Sequence, residues 1–371
     1  MKKLITAIGL MSGTSCDGID TSIVESDGED TLNLIGDFFF PYVKNMKHRI
    51  RTLKEKIDKA QDLESNKDEI VNLEKEITFL HSKAINLLLE KLKINKSTID
   101  LIGLHGHTIF HSFNEKKTIQ LGDGKALSEL MGLNVIYNFR ENDLKNGGQG
   151  APLVPIFHKL LQKKLQLKKP VVFVNIGGIS NITYLDINDD MVSFDTGPGN
   201  FLIDKLLQLK SNNKIQFDNK GAIAFKGRVD KIVLDSLLSD PYYDSLPPKS
   251  LDVNDFNLSS IRGLSVEDSI TTLSELTALT IVNSLNFFPN KPREIILCGG
   301  GRKNDYIFER IKKRSNILTV NIDDYKVNGN FIESQAFAYL AIRSFFNKPI
   351  TFTKTTGVSR PTKGGSLIEF K

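Results

Sequence analysis

Short apolar runs open the chain. "LITAIGLM", "IDTSIVES" and "TLNLIGDFFF" are each bounded by Gly, Asp or Ser, which predicts three strands joined as a meander. From Asn45 to about Ile94 the period changes: Ile70, Leu73, Ile77, Leu80, Ile85 and Leu88 recur at about three- and four-residue spacing, as on one face of a helix. The lysines and glutamates between them form its solvated side, and the polar patch "DLESNKDE" divides the helix in two. Alternating units follow: strands "IDLIGLHG" and "TIQLGD", a helix from Lys125, strand "NVIYNF", then a helix near "APLVPIFHKLL" with Pro152 in its first turn. This is an α/β pattern.

The second half begins with a repetition. "VFVNIGGISNITYLDI" has the plan of "AIGLMSGTSCDGIDTSIV", an apolar strand, a turn of small residues and a returning strand, which points to internal duplication. A glycine-rich hairpin can turn several backbone N–H groups on one point and form a nest for an anion. Two such hairpins across a cleft would grip a chain of phosphates from both sides.

At 371 residues, 40% hydrophobic and 25% charged, the chain is long enough for two domains. Its net charge of +5 comes from scattered lysines, without the arginine blocks and interleaved aromatics of a nucleic-acid track, so no nucleic-acid partner is expected. The opening "MKKLITAIGLMSGTSC" has the outline of a secretory signal, but Gly9 breaks its apolar stretch and Gly13 stands where a lipoprotein-type cleavage box wants leucine. With two cysteines, Cys16 and Cys298, and no stretch long and apolar enough for a bilayer, the expectation is a soluble cytoplasmic protein with no membrane partner. Neither the P-loop pattern nor a dinucleotide-binding G-x-G-x-x-G occurs, so a bound ATP needs another architecture.

The strings "GLMSGTSCDGID", "GLHGHTIFH", "NGGQGAPLVPIFH", "NIGGISNIT", "FDTGPGNFLID", "ILCGGGRKN" and "ESQAFAYLA" resemble, in order and spacing, the anhydro-N-acetylmuramic acid kinases. The resemblance runs from Ile8 to about Phe345. It implies the fold of the sugar kinase, heat-shock chaperone and actin superfamily: two duplicated ribonuclease-H-like α/β domains around a central ATP cleft. Domains are expected at 1–125, completed by 346–371, and at 126–345. The implied activity uses ATP and magnesium to convert 1,6-anhydro-N-acetylmuramic acid, with water, into N-acetylmuramic acid 6-phosphate during cell-wall sugar recycling. A homodimer is left open. Phosphoryl capture of the leaving 6-oxygen replaces the general acid of a glycoside hydrolase, so one carboxylate base suffices.

The resemblance carries over to named positions. Asp195 in "SFDTGPGNFLIDKL", read as following a strand that ends at Phe194, matches the general base; a turn-capping role is the plainer alternative. Gly13, Thr14, Ser15, Cys16, Asp17, Gly18, Ile19 and Asp20 match the ATP-phosphate loop, with Asp17 holding magnesium through water. Cys16 stands where the family has leucine. Gly177 and Gly178, Gly299, Gly300 and Gly301, and Glu333 complete the nucleotide set. For the sugar, His105, His107, Arg140, Asp143 and Gln149 are candidates, with Arg140 suited to the lactyl carboxylate.

Two other functions compete. A chaperone-like ATPase switch on the same fold would lack the "GGQGAP" and Asp195 equipment. A metal hydrolase would use His105 and His107, which as residues two apart on a strand share a face. His107 stands where the family has glutamine.

Overall fold

The computed structural model describes residues 3–13 and 15–371. In chain order the chain forms β1 (Ile5–Ser12), β2 (Gly18–Ser26), β3 (Leu32–Pro41), α1 (Lys44–Glu55), α2 (Asp62–Ser65), α3 (Lys67–Leu92), β4 (Leu101–Ser112), β5 (Lys117–Leu121), α4 (Gly124–Met131), β6 (Asn134–Tyr137), α5 (Glu141–Lys145) and α6 (Pro155–Lys164). There follow β7 (Val171–Ile176), β8 (Ile179–Leu185), β9 (Met191–Pro198), α7 (Phe201–Lys210), α8 (Lys231–Leu238), α9 (Val266–Ser284), β10 (Glu294–Cys298), α10 (Asp305–Ser315) and β11 (Leu318–Asn321). Helices α11 (Ile332–Phe345) and α12 (Thr353–Thr356) and strand β12 (Ser366–Ile368) close the chain. The opening meander stands where the periodicity put it, but the helix breaks at 56–61, before the polar patch, which itself forms α2 and the first turn of α3 around a single turn residue, Asn66. Helix α6 starts at Pro155, not Pro152: the ring that lacks an N–H takes the first helical position.

Two compact units divide the chain, Met1–Lys164 with Phe331–Lys371, and Leu165–Asn330. Residues 126–164 and 331–345, expected with the second domain, therefore lie in the first unit. Helix α11 goes there because two strand glycines receive it. Gly9 of β1 and Gly103 of β4 are register partners, and a Cβ on either would stand 1.9 Å from the Ser334 carbonyl or 2.4 Å from the Phe337 carbonyl. Without side chains at those two positions the helix backbone lies directly on the sheet.

In the first unit the sheet runs β3-β2-β1-β4-β6-β12, with β5 also pairing β4; in the second it runs β9-β8-β7-β10-β11. Strands β1 to β3 pair antiparallel and β1, β4 and β6 pair parallel. Strands β7 to β9 and β7, β10 and β11 repeat both relations. The duplication read from the two hairpins is thus a duplication of whole sheets, the ribonuclease-H-like order twice over. In the first unit Ile8, Leu10 and Leu104 pack against α1 and α3 through Ile50, Leu73 and Ile77, and in the second Val172, Val174 and Leu297 form a core with Leu273 and Ile307. No helix among the described residues is long and apolar enough to cross a membrane.

Candidate active-site residues in each unit

Residues 13–17 connect β1 to β2 at the carboxyl end of β1, where α/β folds place their ligands. Cys16 takes the left-handed conformation (φ 55°), and its N–H donates to the Gly13 carbonyl at 3.0 Å, which closes the turn. Asp17 is exposed and accepts from the Ser15 hydroxyl at 2.6 Å, while Arg51 donates to the Ser15 carbonyl at 3.2 Å. Thr14 lies outside the described residues. The Ile19 side chain is fully buried in the core, so only its backbone can face a nucleotide.

Behind the loop, Asp20 is half-buried on β2, and its carboxyl is pushed up to about 8 by burial first, then by the charges of Asp17, Glu333 and Asp37. Burial also raises Glu333, against the charge of Arg140. Glu333, assigned to the nucleotide, thus stands within electrostatic reach of the sugar candidate Arg140 as well.

Packing separates the assigned glycines into two kinds. A Cβ on Gly18 would strike the Phe40 carbonyl at 2.2 Å, one on Gly299 the Asn175 Oδ1 at 2.3 Å, and one on Gly301 the Ile176 Cγ2 at 2.3 Å. The fold itself requires glycine there. On Gly13 a Cβ would meet nothing closer than Ser15 Oγ at 3.8 Å among the described residues, and on Gly300 nothing within 4 Å. Neither has a positive φ. Glycine at those two places leaves backbone open to a visitor without serving the fold. At Gly177 and Gly178 the carbonyls are occupied: they accept from Asn200 N–H at 2.8 Å and from Gly199 and Phe201 N–H at 2.9 and 3.1 Å, which ties the second hairpin to the start of α7.

His105 and His107 do not share a face. Gly106 between them adopts φ 79°, and the β1–β4 register passes from Leu10↔Leu104 to Ser12↔His107, a bulge that resets the alternation. His105 therefore packs against Phe337 of α11, the rings tilted by 33° with centroids 4.3 Å apart. His107 turns to the other side of the sheet, where Nδ1 bonds Ser12 Oγ at 2.9 Å and Nε2 contacts Cys16 Sγ at 3.6 Å, with the Tyr42 hydroxyl donating to Ser12 at 3.1 Å. Burial pushes both imidazoles down, His107 to about 3. The shared-face arrangement on which a paired-ligand reading rested is overturned, and both nitrogens of each ring already have protein partners.

Those partners give His105 a different task. Its Nδ1–H donates to the Gly106 carbonyl at 2.9 Å, so Nε2 carries the lone pair that accepts from Arg140 Nε and Nη2 at 3.1 and 2.9 Å. Arg140 Nη1 donates to the Gly150 carbonyl at 2.7 Å. Asp143 holds the same loop: Oδ2 accepts from Gly150 N–H and Oδ1 from the Thr356 hydroxyl, both at 2.6 Å. The Gln149 N–H donates to the Thr356 carbonyl at 2.7 Å, and its carbonyl meets His111 Nε2 at 2.9 Å.

In the second unit, β9 runs on past Phe194 to Pro198, so Asp195 sits inside the strand and not at its end. It pairs with Asn181 beside a bulge that spares Thr196 a partner. Asp195 is 9% exposed. Its N–H donates to the Lys249 carbonyl at 3.0 Å, its Oδ2 accepts from Leu251 N–H at 2.9 Å, and its carbonyl accepts from the Tyr242 hydroxyl at 2.6 Å. The turn after it is capped through Thr277, whose hydroxyl reaches the Pro198 and Gly199 carbonyls at 2.9 and 3.0 Å.

Sequence reasoning missed the supporting residues: Ser12, Tyr42 and Arg51 around the first loop, His111 and Thr356 around 148–150, and Tyr242, Lys249 and Leu251 around Asp195. The proline- and tyrosine-dense "DPYYDSLPPKS" was a signal of a built loop. Nothing local in it shows that it covers β9.

Two units with one strand order and glycine-rich hairpins at the carboxyl ends of their first strands define the fold class of sugar kinases and actin-like ATPases. The family profile described as "Anhydro-N-acetylmuramic acid kinase" matches residues 5–369. Curated proteins of that name from Pelagibacter ubique, 44% identical over the full length of both chains, and Zymomonas mobilis, 38% identical over 97% of this chain and 99% of that one, are similar to it. The chain belongs to the anhydro-N-acetylmuramic acid kinase family. Among solved structures, the Acidaminococcus fermentans (R)-2-hydroxyglutaryl-CoA dehydratase component A is 9% identical over 91% of this chain and 98% of that one, with a TM-score of 0.48.

Proposed function

We propose that this chain, a kinase of cell-wall sugar recycling, opens the 1,6-anhydro ring of 1,6-anhydro-N-acetylmuramic acid with water and transfers the terminal phosphoryl group of ATP to the released 6-oxygen. The products are N-acetylmuramic acid 6-phosphate and ADP, and the reaction runs in the cytoplasm, where ATP is available. The observation that carries the reading is Asp195, a nearly buried residue whose carboxylate accepts from Leu251 N–H and whose backbone is held by the Lys249 carbonyl and the Tyr242 hydroxyl.

In this reading Asp195 takes a proton from a water as that water forms a bond to the anomeric carbon. The bond between that carbon and the 6-oxygen breaks, and the electron pair left on oxygen attacks the γ-phosphorus as ADP departs. Holding the carboxylate in one orientation is what makes it a base in place before the substrate arrives. Backbone N–H groups of the 13–18 loop, other than that of Cys16, which already donates to the Gly13 carbonyl, bind the phosphates at the open face of Gly13. Arg140, oriented by His105, pairs with the lactyl carboxylate.

Magnesium fits the acidic side of the first loop. Asp17 presents an exposed carboxylate beside Asp20, whose proton is held by burial first and then by neighbouring carboxylates, and a divalent cation would relieve the repulsion among them. The ion would be carried mainly by phosphate and water and steadied by Asp17 through water. When bound, it supplies neutralisation of phosphate charge.

The test is incubation with the anhydro-sugar, ATP and magnesium in oxygen-18 water. A product heavier by water and a phosphoryl group, labelled at the anomeric hydroxyl, is expected. ADP release with unchanged sugar, or label in phosphate, would overturn the reading.

A further inference from the structure

Lys249 is a lysine placed where lysines are seldom found. It is 7% exposed, and its ammonium lies 4.6 Å from the ring centroids of Tyr242 and Phe287 and 5.6 Å from that of Phe194. Its hydrogen-bond acceptors are the carbonyls of Tyr242 and Tyr243, at 2.8 and 3.1 Å. An ammonium buried this way is tolerated because aromatic faces and carbonyl dipoles replace its water. Burial nevertheless pushes its pKa down to about 8.

Three contacts of the segment that wraps this ammonium fall on Asp195. The Tyr242 hydroxyl holds the Asp195 carbonyl, the Lys249 carbonyl holds the Asp195 N–H, and two residues on Leu251 N–H holds Oδ2. Phe194, one wall of the cage, is the residue just before Asp195 on β9. The ammonium and the carboxylate are therefore joined through a closed path: Lys249 fixes the carbonyls of 242 and 243, which fixes the Tyr242 ring and the 249–251 backbone, which fixes the carboxylate. A short apolar side chain at 249 could fill part of the cage but could not draw those two carbonyls inward.

We propose that Lys249 is a positioning residue for the base: its ammonium gathers residues 242–251 into a clasp that orients the Asp195 carboxylate for water. This rests on the reading of Asp195 as that base. The lysine acts through the backbone, without touching substrate. The titratable groups on or facing the clasp are Asp240, Tyr242, Tyr243, Asp244, Asp255 and Asp195.

Lys249→Met tests it, keeping an unbranched apolar side chain and deleting the charge. In the folded variant, ATP and sugar Kd should stay within about twofold, while kcat falls by roughly 10- to 100-fold, within the range that a misplaced general base accounts for. The acid limb of the kcat/KM profile should rise by about one pH unit, because a carboxylate that loses the Leu251 N–H is easier to protonate. A purely structural lysine would lower Tm and leave that limb in place. Tyr242→Phe removes only the hydroxyl, and should lower kcat about threefold to tenfold with KM unchanged. Wild-type kcat and acid limb in folded Lys249→Met overturn the proposal; if that variant does not fold, wild-type kcat in Tyr242→Phe overturns it. Failure of the underlying reading is seen elsewhere, as near-normal turnover in Asp195→Asn.

Discussion

Arg140 directs two guanidinium nitrogens at a single atom, Nε2 of His105, at 3.1 and 2.9 Å. That atom can accept only while the imidazole is neutral, and burial together with the adjacent guanidinium holds its pKa well below the ordinary value. His105→Leu should therefore release Arg140. The expected result is a rise of roughly 10-fold or more in the sugar KM, the scale of one hydrogen bond to a charged group, with ATP affinity unchanged. Equal loss of both affinities, measured by calorimetry, would show that His105 serves only to hold β4.

Gly13 and Gly301 make opposite predictions from the same substitution. Gly13→Val has room in the protein, so Tm should hold while ATP Kd rises by about 10- to 100-fold, the scale of one or two lost charge-assisted hydrogen bonds. Gly301→Val strikes Ile176 and should cost about 1–3 kcal/mol of stability through overpacking. Thermal melts with and without ATP separate the two, and an unchanged ATP shift in Gly13→Val would remove residue 13 from the phosphate loop.

Asp195→Asn keeps shape and hydrogen-bonding reach but cannot take a proton. Turnover should fall by about 10²–10⁴-fold, the contribution of a positioned base, while both ligands still bind. Near-normal turnover with binding intact would return Asp195 to a structural role.

His81, fully buried on α3, gives a prediction in pH. Burial pushes its pKa to about 4, below its ordinary 6.5, so the folded chain keeps the ring neutral while the unfolded chain protonates it. Stability from this group is complete above 6.5 and is lost as pH falls toward 4, at up to about 1.4 kcal/mol per pH unit. His81→Leu should flatten the slope of urea stability against pH in that window. The same slope in the variant would mean that other groups carry it. Asp20 has the opposite sign, since its raised carboxyl favours the folded chain as pH falls below about 8, and it remains in both proteins.

Much of the fold was legible because it is set by neighbours in sequence. The β1–β2 and β7–β8 hairpins follow from alternating apolar residues around small turns, and α3 from apolar residues at helical spacing. The glycine loops and Asp195 were visible as motif strings. The companions of Asp195 were not, because Tyr242, Lys249 and Leu251 lie 47 or more residues away along the chain and reach it through hydrogen bonds no local pattern encodes.

By itself the sequence determined the period of each element, the duplicated plan and the family. Tertiary structure alone decided the faces and the boundary. Period-two alternation put His105 and His107 together, yet a single left-handed residue, Gly106, inserted a bulge and sent them to opposite sides of the sheet. Chain order put 331–345 with the second half, yet Gly9 and Gly103, far apart in sequence and paired in register, made a flat place on which α11 lies. In both cases the deciding interaction joins residues that the chain brings together only after the sheet has formed.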